Sequence, residues 1–255
     1  MRKKSINLYF NNDVDVKLKF KEIKKLGYDE FFTDSDDNRE SLTVAEQVEY
    51  AKSLGLKCTM IHCTYYEPEL NSFWLDDKMG EKVLKDYLSQ IKKCAGLTEN
   101  FVVHLCGDYG SQTTEIGLKR IKKLLSACKR YGMNLCIENL YSYEQIPYVF
   151  KNIKHSNLKI CLDTGHRNFL TPKFDILEEF GEHIGVLHLH DNDGSDDFHD
   201  YPLTGSVDWK KFSADIKKYP NLVFSAEVKY PNADYKQTLK ETYKSLCKLE
   251  KMSEK

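Results

Sequence analysis

Asp163 and His166 stand three residues apart in LDTGH, where the apolar run KICL ends. A carboxylate and an imidazole at that spacing can share a proton or a metal ion if the chain turns back after the acid. Thr164 and Gly165 provide the turn. Polar residues of the same kinds close other apolar runs: His62 in KCTMIHC, His104 in FVVHLC, Glu138 in NLCIEN, His188 and His190 in GVLHLH, and Glu227 in LVFSAEV. The segment DNDGSDDFHDYP that follows GVLHLH adds Asp197 and His199, and only His155 and His183 lie away from this pattern. Taken singly, a strand histidine reads as a hydrogen-bonded core residue and a strand-end carboxylate as a helix cap. Brought together, so many buried carboxylates and imidazoles would repel one another or go unpaired without a cation. The set therefore predicts a divalent metal site.

Such convergence needs a frame. Short apolar runs recur at SINLYF (5–10), DEFFT (29–33), KCTMIHC (57–63), FVVHLC (101–106), NLCIEN (134–139), LKICLD (158–163), GVLHLH (185–190) and LVFSAEV (222–228). Between them lie stretches with helical spacing, among them VKLKFKEIKKL (16–26), EKVLKDYLSQIKKCA (81–95) and TEIGLKRIKKLLSACKRYG (114–132). Gly27, Gly55 and Gly132 stand where a helix C-terminus takes its glycine. Strands alternating with helices imply a parallel sheet. Eight such units in 255 residues predict a single (β/α)8 TIM barrel, one domain over 1–255. The alternative is an open doubly wound sheet, but the turn after the first strand, FNNDVDV, lacks the glycines of a phosphate-binding loop. In a barrel the C-terminal strand ends share one face, which is where these polar residues fall.

The 38 basic and 39 acidic residues leave a net charge of −1, so composition gives no support to a nucleic-acid partner. No apolar run approaches the roughly 18 residues of a membrane span, and the apolar segment after MRKK is too short for a secretory signal. Eight scattered cysteines without a CxxC pair read as reduced thiols of a cytoplasmic protein.

The motifs IEN (137–139), LDTGH (162–166), HLHD (188–191), Asp197-Phe198-His199, TGSVDW (204–209) and AE (226–227) together resemble the xylose-isomerase-like TIM barrel superfamily, which includes sugar-phosphate isomerases, epimerases and endonuclease IV. The resemblance covers essentially the whole chain. It implies a shared metal site of Glu138, Asp163, His188 and Glu227, and the histidine-rich ligand set suits Zn, Mn or Co. It makes Glu138 and Glu227 the acid and base of an isomerase or epimerase that works through a metal-stabilised enediolate. His166 and His190 would orient hydroxyl groups of a small sugar or sugar phosphate. From its position two residues past Glu227, Lys229 is expected to point the same way and bind an anionic end, and the loop aromatics Tyr65, Tyr66, Trp74 and Trp209 are expected to wall the pocket. The endonuclease branch implies an alternative, a multi-zinc phosphodiesterase. There His62, His104, His166, Asp197 and His199 complete a set for up to three ions, and all five are present.

Some features depart from these patterns. The first strand lacks the endonuclease GxHxS-type motif, and of the five arginines only Arg167 lies near the expected site in sequence. The arginine that follows the seventh-strand motif in ketohexose epimerases is absent, and their lid-loop glycine-glutamate-glycine is reduced to Leu203-Thr204-Gly205. The superfamily's assemblies leave a homo-oligomer open.

Overall fold

A computed structural model describes residues 1–11, 13–107, 112–141 and 144–254, with the backbone alone for Pro68. Its strands are β1 (Lys4–Ile6), β2 (Glu30–Asp34), β3 (Lys57–His62), β4 (Asn100–Val103), β5 (Asn134–Glu138), β6 (Leu158–Asp163), β7 (Ile184–His188) and β8 (Phe224–Ala226). The helices are α1 (Val16–Leu26), α2 (Val44–Ser53), α3 (Glu67–Leu70), α4 (Lys78–Lys93), α5 (Glu115–Arg130), α6 (Gln145–Asn152), α7 (Thr164–Phe169), α8 (Ile176–Phe180), α9 (Trp209–Ile216) and α10 (Tyr235–Ser253).

Strands β2 to β7 form one parallel sheet in chain order, and β1 pairs with β8 in parallel. Single bridges, Asn7 to Phe32 and Leu189 to Ala226, join the two pieces. The Leu8 N–H donates to the Phe32 carbonyl at 2.9 Å and the Leu189 N–H to the Ser225 carbonyl at 2.8 Å. The sheet thereby closes into the eight-stranded barrel that the alternation predicts. The outer strands are shorter than their apolar runs: β1 stops at Ile6 and β8 at Ala226. Beyond them the Asn7 amide takes over the ladder's role, donating to the Val228 carbonyl at 3.0 Å and accepting from its N–H at 3.2 Å.

The helices follow from their sequences. Asp15 caps α1 by accepting from the Lys17 N–H, and Val16, Phe20 and Ile23 are buried on one face. Gly27 ends α1 at φ 95°, a conformation open to glycine at little cost. No described helix is long and apolar enough to cross a membrane. The eight cysteines are free thiols, and all but Cys247 are buried.

Strand alternation sorts the barrel's residues into two cores. Phe31, Ile61, Phe101, Leu135, Ile160 and Leu187 belong to the large cluster between sheet and helices. Phe32, Met60, Val102, Cys136, Cys161 and Val186, one from each of β2 to β7, form a separate cluster that fills the barrel. Two irregularities keep this order. The β2–β3 register shifts between Phe31 and Thr33 so that β3 carries one extra residue, and the β6–β7 register leaves Gly185 without a partner.

Candidate metal centre and active site

Two residues beyond each member of the interior cluster, the sequence places a polar residue at the mouth: Asp34, His62, His104, Glu138, Asp163 and His188. The same alternation brings Tyr9 from beyond β1 and Glu227 from beyond β8. Each strand thus contributes one group to a ring at the C-terminal end of the barrel.

Four of these converge most tightly. Each of Glu138, Asp163, His188 and Glu227 offers a ligand atom within 4.8 Å of the other three, and all four residues are buried. The His188 Nδ1 lies 3.1 Å from Glu138 Oε1, 3.0 Å from Glu227 Oε2 and 3.8 Å from Asp163 Oδ2. Its ring is stacked on Phe32, with centroids 5.1 Å apart, which fixes its plane.

Glu138 is the hub. Its Oε2 faces the Nε2 atoms of His62 and His104 at 3.0 and 3.1 Å, and those two nitrogens are 3.2 Å from each other. Its Oε1 faces His188 and, at 3.3 Å, the His166 Nδ1. A third group gathers on the loop after β7, where Asp197 Oδ2 lies 3.5 Å from His166 Nε2 and 3.2 Å from His199 Nδ1.

Backbone-directed side chains hold these groups in place. The Asn139 amide donates to the Asp163 carbonyl at 2.9 Å and accepts from its N–H at 2.7 Å. Asp163 then caps α7, its Oδ1 accepting from the His166 N–H at 2.7 Å, so helix cap and cluster member are the same residue. Gly165 is required there, because a Cβ would lie 1.9 Å from the His190 ring. Asp191 anchors the loop that carries Asp197 and His199. Its carboxylate accepts from the N–H groups of Asn192, Thr204 and Val207 at 3.0 Å and from the Trp209 indole at 2.5 Å. His199 has φ 54°, rare for a non-glycine residue and a sign that the loop is bent to present it. Leu203 has φ 74°, a conformation that favours glycine.

The open space above the cluster is a cavity of about 310 Å³, at the lower end of the roughly 300–1,000 Å³ range of small-molecule pockets. His62, His104, Glu138, His166, Asp197, His199 and Glu227 line it, with Tyr65 and Lys229 at its edge. Other residues singled out from the sequence lie outside the cavity lining. His190 is fully buried, its Nε2 2.9 Å from Asp163 Oδ1 and its ring stacked 4.0 Å from His199, and it offers a ligand atom within 4.8 Å of those of His199 and Glu227. Trp209 packs against Phe212 and anchors Asp191, and Trp74 is buried with its indole donating to the Leu105 carbonyl at 2.7 Å. Tyr66 faces a neighbouring surface cleft. Arg167 pairs with Asp175 at 3.2 Å and does not line the cavity, whereas Arg39 does.

Sequence reasoning also missed Tyr9 and Asp34. The Tyr9 hydroxyl donates to Glu227 Oε1 at 2.6 Å, and Asp34 holds the Arg39 Nε at 2.7 Å. The available signal was positional: each continues the alternation of its strand to the level of the other mouth residues.

Electrostatics test whether a cation fits. Burial alone would raise the Glu138 carboxyl, but the imidazoles of His188 and His104 outweigh it and hold the group well below the usual carboxylate range. Glu227 is likewise pushed up by burial and pulled well below by His188 and His199. The histidines respond unequally. Burial lowers His62, yet hydrogen bonds to Cys63 and Glu138 carry it to about 10, while burial takes His104 down to about 4 against the pull of the same carboxylate. Of two imidazoles on one oxygen, one is thus shifted toward its protonated form and the other toward its neutral form. Protons are a poor counter-charge here, because the His188 Nδ1 can satisfy only one of the three carboxylates around it. A divalent cation bound by the carboxylates and imidazoles satisfies them together, and this mixed N/O set suits Zn, Mn or Co. The residues present fit such an ion.

Comparison with known proteins agrees with this architecture. A family model described as xylose isomerase-like TIM barrel matches residues 20–249. An uncharacterized protein of Methanocaldococcus jannaschii is 27% identical over 184 residues, covering 67% of this chain and 70% of its own. Among solved structures, D-psicose 3-epimerase with D-tagatose from Clostridium cellulolyticum H10 superposes with a TM-score of 0.78 at 17% identity, over 99% of both chains. The IolI protein with a bound zinc atom superposes at 0.77 and 16% identity, over 99% of each chain. With the closed barrel, the one-per-strand ring and the match over most of its length, the chain belongs to the xylose isomerase-like TIM barrel family.

Proposed function

We propose that this protein is a divalent-metal-dependent isomerase or epimerase of a small sugar or sugar phosphate. One observation carries the reading: Glu138 at the end of β5 and Glu227 just past β8 face the same His188 nitrogen at 3.1 and 3.0 Å and both line a cavity of small-molecule size. Glu138, Asp163, His188 and Glu227 would hold the metal. Such an ion, when bound, supplies Lewis-acid stabilisation of negative charge developing on the oxygens of a carbonyl and its neighbouring hydroxyl. One glutamate removes the proton from the hydroxyl-bearing carbon next to the carbonyl, and the other returns a proton to the resulting enediolate. Tyr9 fixes Glu227 by its 2.6 Å hydrogen bond and leaves Oε2 to the cluster. His166, anchored through Nδ1 to the Asn139 carbonyl at 3.1 Å, presents its other nitrogen toward Asp197 and the cavity, where it orients a hydroxyl. Tyr65 lies against His104, with ring centroids 4.5 Å apart, and walls the side opposite Glu227. The epimerase activity named for one structural neighbour and the zinc of the other support the same reading.

A second reading, a multi-zinc phosphodiesterase, is favoured by the further groupings of His62 and His104 on Glu138 Oε2 and of His166 and His199 on Asp197. The experiment is elemental analysis of protein purified without chelator, followed by incubation of the loaded protein with ketoses, aldoses and their phosphates in D2O. About one metal per chain with deuterium entering beside the carbonyl supports the isomerase. Two to three zinc ions with phosphodiester cleavage and no exchange supports the second reading. A chain that takes up no metal overturns both.

A further inference from the structure

Charge in the cavity is sorted by depth. The carboxylates of Glu138 and Glu227 have side chains only 1% and 9% exposed, while the two cationic side chains of the lining stand at the rim: Arg39 is 38% exposed and Lys229 is exposed. Both belong to the same side of the mouth. The Arg39 guanidinium lies over the Tyr9 ring, 5.4 Å from its centroid, and Tyr9 is bonded to Glu227. Lys229 follows Glu227 by two residues, its backbone N–H donating to the His199 carbonyl at 3.2 Å. Of the guanidinium, Asp34 engages Nε alone, while its other oxygen accepts from the Asp36 N–H at 2.9 Å. Among the described residues, the terminal nitrogens of Arg39 and the ammonium of Lys229 have no partner. Asp34 offsets one of these two charges, and the partly exposed carboxylate of the lining, Asp197, lies against His166 and His199, so the rim above Tyr9 keeps several free donors. The lining near it on the β3 side, Cys63, Thr64 and Tyr65, is uncharged.

A neutral polyol gives such a rim nothing that water does not. An oxyanion gives it charge-assisted hydrogen bonds, bidentate from a guanidinium edge. We propose that Arg39 and Lys229 form a subsite for an anionic terminal group, a phosphate monoester or a carboxylate, on a substrate whose other end reaches the metal cluster. The inference rests on the reading of the cavity as a carbohydrate site and narrows its substrate class.

The test is calorimetric binding to the metal-loaded protein of matched ligands: D-fructose against D-fructose 6-phosphate, D-ribulose against D-ribulose 5-phosphate, and D-glucose against D-glucuronate. Deuterium exchange is followed in the same samples. The anionic member of a pair is expected to bind about tenfold more tightly than the neutral one. In the R39Q/K229Q double variant that advantage falls below about twofold. A gain confined to the phosphates, or to the uronate, identifies which anion the subsite takes. Equal binding within every pair, an advantage that survives the double substitution, or no binding of any anionic member overturns the proposal. Exchange on neutral sugars without anionic preference sinks the subsite alone. Anionic preference without exchange sinks the isomerase reading and leaves the subsite standing.

Discussion

The two ends of the barrel use buried polarity in opposite ways. At the N-terminal end partners are matched locally. Lys4 pairs with Glu250 at 2.7 Å, Lys3 with Glu30 at 3.0 Å, and the Thr59 hydroxyl bridges Ser5 and Glu30 at 2.8 and 2.9 Å. From there amides run from strand to strand: Asn100 donates to the Thr59 carbonyl, Asn134 to Asn100 and Asn157 to Asn134. At the C-terminal end Glu138 alone faces four imidazoles, and one His188 nitrogen faces three carboxylates. The first arrangement is complete as it stands and holds the strands in register. The second crowds several carboxylates and imidazoles onto the same few atoms, an arrangement able to hold a cation.

The sharpest way to break this contrast is Glu138→Gln. Removing the hub charge should abolish retention of the cluster's metal and lower turnover by about a thousandfold, with far-UV circular dichroism unchanged. A full metal complement in that variant would show that the hub is not what holds the ion. Chelation comes next. A ligand present at a hundred times its dissociation constant stabilises by about 2.7 kcal/mol, so stripping the metal should lower Tm by roughly 5–10 °C in scanning calorimetry. At the other end, Lys4→Met should cost about 2 kcal/mol, or roughly 4–8 °C, by leaving Glu250 without its buried partner. Its metal content should equal that of the wild type, and loss of the ion would mean that the two ends are not independent.

Two smaller effects sharpen the comparison. His62 is held protonated up to about 10 by its hydrogen bonds, against its burial. Its raised value stabilises the metal-free fold fully below the unfolded value of 6.5, and that contribution is lost as pH rises toward about 10. A second ion bound by His62 must displace that proton. Zinc titration at pH 7 should therefore release about one proton for this site, read from calorimetry in buffers of different ionisation heat, and affinity should rise with pH. No release would mean that His62 is not a ligand. Least of all, Trp209→Phe removes one of four donors to Asp191, a change of about 1 kcal/mol. Faster hydrogen exchange over 197–206, with metal content unchanged, is the expected readout.

Most of the mouth was legible because strand alternation and chemistry coincide there. His62, His104, Glu138, Asp163 and His188 each end an apolar run with a residue type that has few reasons to be buried alone. Tyr9 and Asp34 escaped for the opposite reason: a tyrosine in SINLYF reads as one more apolar residue, and Asp34 in DSDDNRE reads as loop. Arg39 lies five residues beyond Asp34, and nothing local shows that the loop folds back over Tyr9. The motifs of His190 and Trp209 fix nearness but not facing. The His190 Nε2 turns to Asp163 and its ring stacks on His199, while Trp209 is drawn off by the Asp191 carboxylate, so neither lines the cavity.

The unpaired Gly185 also bears on how relatives of this chain are to be compared. Along β7 it resets the phase of the strand, so that Val186 fills the barrel and His188 reaches the mouth. A regular strand that kept the residue would turn Val186 toward the helices, Leu187 toward the cluster and His188 away from it, with the composition and the HLH letters unchanged. Loss of Gly185 would instead keep the Ile184–Ile160 and Val186–Cys161 pairs and make the register regular. When relatives of this barrel are aligned, a one-residue gap at Gly185 is therefore compatible with a histidine at the mouth, whereas a one-residue gap between Val186 and His188 is not.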